Sequence, residues 1–288
     1  METEKPGKDG LEKIKSKLGG HKSRWLVAIV LLGPTIAAIL AEDYLYFFLL
    51  MLLVGGVTWW EFSRNLFGAE RSGLLAVALG GWLAVAVGTY FFDPLAQSVG
   101  LVLALALGAG YGMWALERES GPVMLNLLGR LALGHLYLSF LLSFFLLLKK
   151  AESGGLWLMY LLAVTIAADT GAYYAGNKLR GPKLAPKISP NKTVSGLIGG
   201  AVAAMLVSAV CALFIPKASL LSLVALGFFM GFWGAFGDLF ESAMKRAIDI
   251  KDSSNLLLGH GGFWDRLDSL LFNVVPVYLV AEFFMNNQ

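Results

Sequence analysis

The chain has 288 residues, 57% of them hydrophobic and 15% charged, with a mean hydropathy of +0.68 and a formal net charge of +3. Soluble domains hold roughly 45–50% apolar residues, and buried helices of a large soluble protein would still carry polar faces, so a soluble fold is excluded. A single cysteine, Cys211, rules out an intrachain disulfide and suits a small apolar packing role.

Residues 1–24 form a basic lead with seven Lys or Arg and four acids. Within it Leu11, Ile14 and Leu18 recur at helical spacing among Lys13, Lys15 and Lys17. This suits a short amphipathic helix on an anionic leaflet, and a disordered basic tail fits nearly as well. The lead is too long and too acidic for a signal peptide, so the first apolar run reads as an uncleaved helix.

From Trp25 onward the charges leave long gaps: 25–41, 44–60, 72–92, 94–116, 131–148, 153–168, 193–216, 218–237 and the shorter 269–281. A membrane helix needs about 20 mostly apolar residues. The gaps predict an all-α integral membrane protein with nine spans. Pro34 and Pro276 fall mid-span, where they kink their helices, and Trp25 and Trp59-Trp60 suit the interfacial aromatic belt. The basic lead, the loop 177–194 and the loop 241–267 hold most of the Lys and Arg. The positive-inside rule therefore predicts a cytoplasmic N-terminus, an external C-terminus and a multi-pass protein of the cytoplasmic membrane. Lys149-Lys150 falls on the outer side and is the exception.

Residues 25–150 read as a bland scaffold of five spans, with Arg130 and His135 satisfied locally. Residues 151–288 gather the candidate chemistry. Asp169 sits at the inner end of span six, where an unpaired carboxylate is too costly, so it needs a cation or a wet cavity. Asp238 and Glu241 lie three apart and share a helix face, with Lys245 a turn further on; Asp265 and Asp268 repeat the spacing. Acids are favoured in a first helical turn in any case, but two carboxylate-bearing helix ends converging at the membrane edge suit Mg²⁺, which keeps waters and substrate phosphates as its other ligands. The segment "SPNKT" offers hydroxyls, an amide and Lys192 in a Pro-punctuated turn, and "GHGG" offers backbone that can approach an anion.

Histidines 21, 135 and 260 have no zinc spacing, there is no P-loop or GxSxG elbow, and the few basic residues are tied to the membrane, which disfavours nucleic acid. A transporter would spread polar groups through the membrane depth, whereas here they cluster at one end.

These motifs resemble the bacterial phosphatidate cytidylyltransferases. The residues carrying the likeness are Ser242, Lys245, Arg246, Lys251 and Asp252, then His260, Gly261, Gly262, Asp265, Arg266 and Asp268, with "DTGAY" from Asp169, "SPNKT" from Ser189 and "GD-x-x-ES" from Gly237 upstream. They fall in about the last 110 residues; Leu258 departs from the Pro or Gly usual there. The resemblance implies that CTP and bilayer phosphatidic acid react to CDP-diacylglycerol and pyrophosphate. It implies Asp238 and Asp265 as ligands of Mg²⁺, with a second cation as a further option. Lys192, Lys245, Arg246, Lys251, Arg266 and His260 are then expected on phosphates and the leaving group, and Asp169 and Asp268 in orienting roles. Ser189, Asn191, Thr193, Glu241, Asp252, Gly261 and Gly262 are expected to line the substrates. A homodimer is compatible with the family. A CTP-using polyprenol or phytol kinase is the enzymatic alternative.

Overall fold

A computed structural model describes residues 32–68, 72–92, 94–117, 120–215, 218–257 and 261–286. The basic lead, Trp25, Leu258 and His260 lie outside the described residues. The elements are α1 (residues 32–40), α2 (Tyr44–Phe67), α3 (Ser72–Phe91), α4 (Pro94–Ala115), α5 (Gly121–Gly134), a π-helical turn (His135–Ser139), α6 (Phe140–Lys150) and α7 (Gly154–Leu179). A hairpin of β1 (Lys183–Ala185) and β2 (Ser189–Thr193) follows, then α8 (Val194–Cys211), α9 (Leu220–Ala247) and α10 (Trp264–Asn286).

The described residues contain seven helices long and apolar enough to cross a membrane, with Gly121–Lys150 acting as one. Their outward faces are apolar: Leu213 is 80% exposed, Leu221 79% and Leu125 73%. Such a surface is stable only in lipid, so the chain is a multi-pass membrane protein. Helix α10 is 23 residues long but carries Asp265, Arg266 and Asp268 in its first two turns and is not among the seven.

Helix α2 runs past the charge that was expected to end it, continuing through Glu61 to Phe67. Helix α7 continues through Asp169 to Leu179, the extension that its span needs to reach membrane length. The "SPNKT" segment is strand β2, antiparallel to β1 with Lys183 opposite Thr193, so the expected turn is corrected to a strand. Both strands are edges, which is where a strand tolerates Pro190. Trp59 is likewise corrected from the interfacial belt to the core. It is wholly buried and donates its indole N–H to Ser139 Oγ at 2.9 Å, in the π-helical turn, whose His135 Nδ1 shares the same hydroxyl at 3.0 Å.

Helices α7, α8 and α9 approach through small residues. A Cβ on Gly199 would strike Ala175, one on Gly171 would strike Ala203, and one on Gly231 would strike the Ala201 backbone. In lipid no hydrophobic force drives helices together, so close backbone contact of this kind holds them.

The lysine pair at the end of α6 also has a structural cause. Lys149 Nζ donates to the carbonyls of Ile39 and Ala41 at 2.5 and 2.9 Å, at the end of α1. Lys150 Nζ donates to Thr89 and Phe92 carbonyls at 2.7 and 2.9 Å, at the end of α3. Each supplies donors to a helix C-terminus that lacks them. Arg130 does the same for α2, donating to Leu66 O at 2.6 Å.

Replacing Lys149 by Ala should therefore destabilise the detergent-solubilised protein by about 1.5–3 kcal/mol, read as a lowered melting temperature. Cysteine-accessibility mapping of the same variant should show an unchanged topology.

Candidate active site

The site is built where α7, the β hairpin, α9 and the start of α10 meet. Thr193 ends the hairpin and caps α8, its Oγ1 accepting the Gly196 N–H at 3.1 Å. This cap fixes the hairpin so that Lys192 Nζ reaches Asp238 Oδ2 at 2.5 Å; Asp238 Oδ1 accepts from Ser242 at 3.3 Å. Gly237, beside Asp238, is required by a close approach. A Cβ there would meet the Asp268 carbonyl oxygen at 2.7 Å, so the glycine lets the two acid-bearing helices touch. Asp268 accordingly lies in the electrostatic field of both Asp238 and Asp169, with Lys192 opposing them.

One turn further on, Lys245 bridges Glu241 Oε1 at 2.7 Å and Asp265 Oδ1 at 2.8 Å. Asp265 also accepts the Ser253 N–H and hydroxyl, at 2.9 and 3.0 Å, and the Gly262 N–H at 2.8 Å. These donors offset the cost of burying the carboxylate at the helix entry.

The two glycines of the signature have separate causes. Gly261 has φ of +77°, in the region that favours glycine. Gly262 lies so close to Ser253 Oγ and both Glu61 carboxylate oxygens that a Cβ there would overlap all three.

Two cavities reach this region. The first, about 950 Å³, is the more polar of the two, with Asn177, Arg180, Lys183, Asn191, Lys192 and Asp238 among apolar residues in its wall. The second, about 350 Å³, is mainly apolar and runs between α1, α2, α6, α7 and α10, with Arg266 and Asp268 at its polar end. Asp169 lines both. Asp169 thus borders open space on two sides instead of being enclosed by apolar side chains.

Not every expected residue faces a cavity. Glu241 is 1% exposed, packed against Lys245, and lines neither. Arg246 donates to Ile250 O at 2.8 Å, closing the end of α9, and lines neither cavity. Lys251 and Asp252 are exposed outside both walls, and Ser189 is half-buried at the head of β2. Among the described residues no three His, Cys, Asp or Glu side chains form a ready-made metal cage.

One residue with a clear part in the site was not foreseen. Glu61, from the half read as scaffold, is 1% exposed and bonded to the signature segment. Its signal was present in "TWWEFSRN", a lone acid followed by more helix, but the acid was read as the end of a span.

A multi-pass helical protein with carboxylates, lysines and a polar cavity at the ends of its membrane helices has the makings of an enzyme acting on a lipid and a soluble anion. Comparison with known sequences gives the family. The model of the cytidylyltransferase family matches residues 22–284, and the chain belongs to that family. It is similar to a phosphatidate cytidylyltransferase of Helicobacter pylori, 28% identical over 273 residues, covering 94% of this chain and 95% of the relative. The namesake in Bacillus subtilis is 40% identical over 161 residues, 54% of this chain and 59% of the relative. That in Staphylococcus saprophyticus is 39% identical over 135 residues, 46% of this chain and 52% of the relative. The matched segments thus span about half the length of the last two.

Gly262→Ala should lower the melting temperature and remove activity, because Glu61 is buried and cannot retreat at a cost below about 1–3 kcal/mol. Gly56→Ala, where a Cβ meets nothing within 4 Å, should leave both unchanged.

Proposed function

We propose that this chain transfers the cytidylyl group of CTP to phosphatidic acid, giving CDP-diacylglycerol and pyrophosphate. The observation that carries the reading is the meeting of a polar and an apolar cavity at Asp169. A soluble nucleotide and a bilayer lipid need two such compartments with one shared wall. The polar cavity suits the triphosphate, with Lys192, Lys183 and Arg180 as counter-charges and Asn177 and Asn191 as hydrogen-bonding groups. The apolar cavity suits an acyl chain, and Arg266 at its polar end suits the phosphatidate headgroup.

The phosphatidate oxygen attacks the α-phosphorus of CTP, a new P–O bond forms, and the bond to the β-phosphate breaks to release pyrophosphate. The attacking oxygen is already anionic, so the protein's work is placement and charge neutralisation. Lys192, held over Asp238 in the wall of the first cavity, keeps its ammonium within reach of phosphate, while Lys245 ties Asp265 to Glu241 behind that wall.

Asp169, Asp238 and Asp268 set carboxylates in one another's field, the hard oxygen donors that a divalent cation takes. Asp238 would hold Mg²⁺ there together with waters and substrate phosphates; Asp265, whose oxygens are met by Lys245, Ser253 and Gly262, would join it only by giving up one of those donors. When bound, the ion neutralises phosphate charge and makes the α-phosphorus more electrophilic. A second cation beside it belongs to the same reading.

The seven apolar helices, with α10 and the span expected over residues 25–41, would make nine crossings. The basic hairpin and the α9–α10 connection then face the cytoplasm, the C-terminus lies outside, and the site opens at the inner edge of a bacterial cytoplasmic membrane.

Purified protein given CTP labelled on the α-phosphate, phosphatidic acid and Mg²⁺ should place the label in lipid, and EDTA should abolish this. Asp265→Ala should lower the rate about 10²–10³-fold. Undiminished labelling by the variant would remove Asp265 from the ligands. Lipid labelled only by γ-labelled CTP would make the protein a lipid kinase.

A further inference from the structure

Four donors surround Glu61, two on each oxygen. Oε1 takes the Ser254 hydroxyl at 2.6 Å and the Phe263 N–H at 3.1 Å. Oε2 takes the Trp264 N–H at 2.8 Å and lies 3.1 Å from the Ser253 hydroxyl, whose single proton it shares with Asp265 Oδ2 at 3.0 Å. One turn along α2, the Asn65 side-chain amide donates to the Ser253 carbonyl at 2.8 Å. One helix of the first half therefore grips residues 253–254 and 263–264 together.

The grip falls at a consequential place. Trp264 opens α10, so its N–H is one of the donors that a helix start leaves without an intrahelical partner. Glu61 supplies from another helix what a capping side chain supplies from the same one, and its negative charge suits the positive end of α10. The next residues along α10 are Asp265, Arg266 and Asp268. Ser253, held by the same carboxylate, passes its own N–H and hydroxyl to Asp265. The indole of Trp264, wholly buried, is fixed at its far edge by Tyr137 Oη at 3.3 Å.

We propose that Glu61 is a positioning residue for the transfer reaction. Without touching either substrate, it sets the entry of α10 and hence the placement of Asp265, Arg266 and Asp268. The inference rests on the cytidylyl-transfer reading. Its chemical requirement is an acceptor at both oxygens, because the amides of Phe263 and Trp264 cannot turn away as the two hydroxyls can. Glutamine has the same size but offers a donor on one side, so it keeps the packing and breaks the grip.

The test compares wild type, Glu61→Gln and Ser254→Ala, purified in detergent, for transfer of α-label from CTP to phosphatidate. Amide hydrogen exchange is followed on the same samples. Glu61→Gln should lower kcat about 10- to 100-fold, the scale of a misplaced reacting group. Its KM for CTP should stay within about twofold, because the hairpin cavity is untouched. Exchange should rise at residues 253–254 and 263–266 and stay unchanged at 183–193. Ser254→Ala, which removes one donor to Glu61 together with the acceptor of the exposed Leu256 N–H, should give the same split at smaller amplitude and guards against a failure of the first variant to fold. Wild-type kcat in Glu61→Gln would overturn the proposal. So would a loss of rate with exchange raised throughout the chain, which would mark Glu61 as a general stabiliser. A wild type that labels no lipid would instead fail the reaction reading, and with it any positioning role in that reaction.

Discussion

A carboxylate placed among apolar helices is stable only if donors are laid out for it in advance. Much of the arrangement around the site follows from meeting that demand. Glu61 is met by two hydroxyls and two amides. Asp265 is met by Lys245 and by Ser253 and Gly262, while Lys245 also serves Glu241. Asp238 is met by Lys192 from the hairpin. Those of Glu61, of Lys245 with Asp265 and of Lys192 with Asp238 join segments distant in sequence. The acids that look like candidates for chemistry are therefore also the ties between α2, α9, α10 and the hairpin. A change at one of them moves structure as well as charge.

Glycine serves the same demand from the other side. Gly262 leaves room for the Glu61 carboxylate, and Gly237 lets α10 settle against α9 beside Asp238. Elsewhere Gly171, Gly199 and Gly231 act only in helix packing. The "GG" at 199–200 and the "GG" at 261–262 look alike in the sequence. One is a contact between membrane helices, and the other is a cradle for a buried acid.

Reading the chain by charge-free intervals located the apolar segments well, because membrane helices are constrained by length and polarity alone. It misjudged the end of α2 at Glu61, because an interval stops at any charge, whereas a helix stops only where its backbone finds other partners. The acid-bearing motifs were legible as a group from their residue types and spacing. Which of them face a cavity was not: Asp238 and Glu241 share a spacing but not an environment, and that depends on how α10 packs against α9. Glu61 escaped notice because its partners lie about 190 to 200 residues away in sequence. Local patterning carries no trace of such a pairing. The hairpin at "SPNKT" was hidden by its proline, which reads as a turn unless both strands are known to be edges.

The lysine pair at the end of α6 bears on how the molecule is made. The carbonyls it caps belong to α1 and α3, which leave the ribosome roughly 60 to 110 residues earlier. During synthesis these two helix ends wait with acceptors that only a later helix can serve. Closure of the first half is thus tied to delivery of Lys149 and Lys150, and the nascent bundle stays loose at that face until they arrive. Insertion and assembly then share a checkpoint: a chain whose α6 has entered in the wrong register cannot fill both sets of carbonyls at once, and remains recognisable as unfinished.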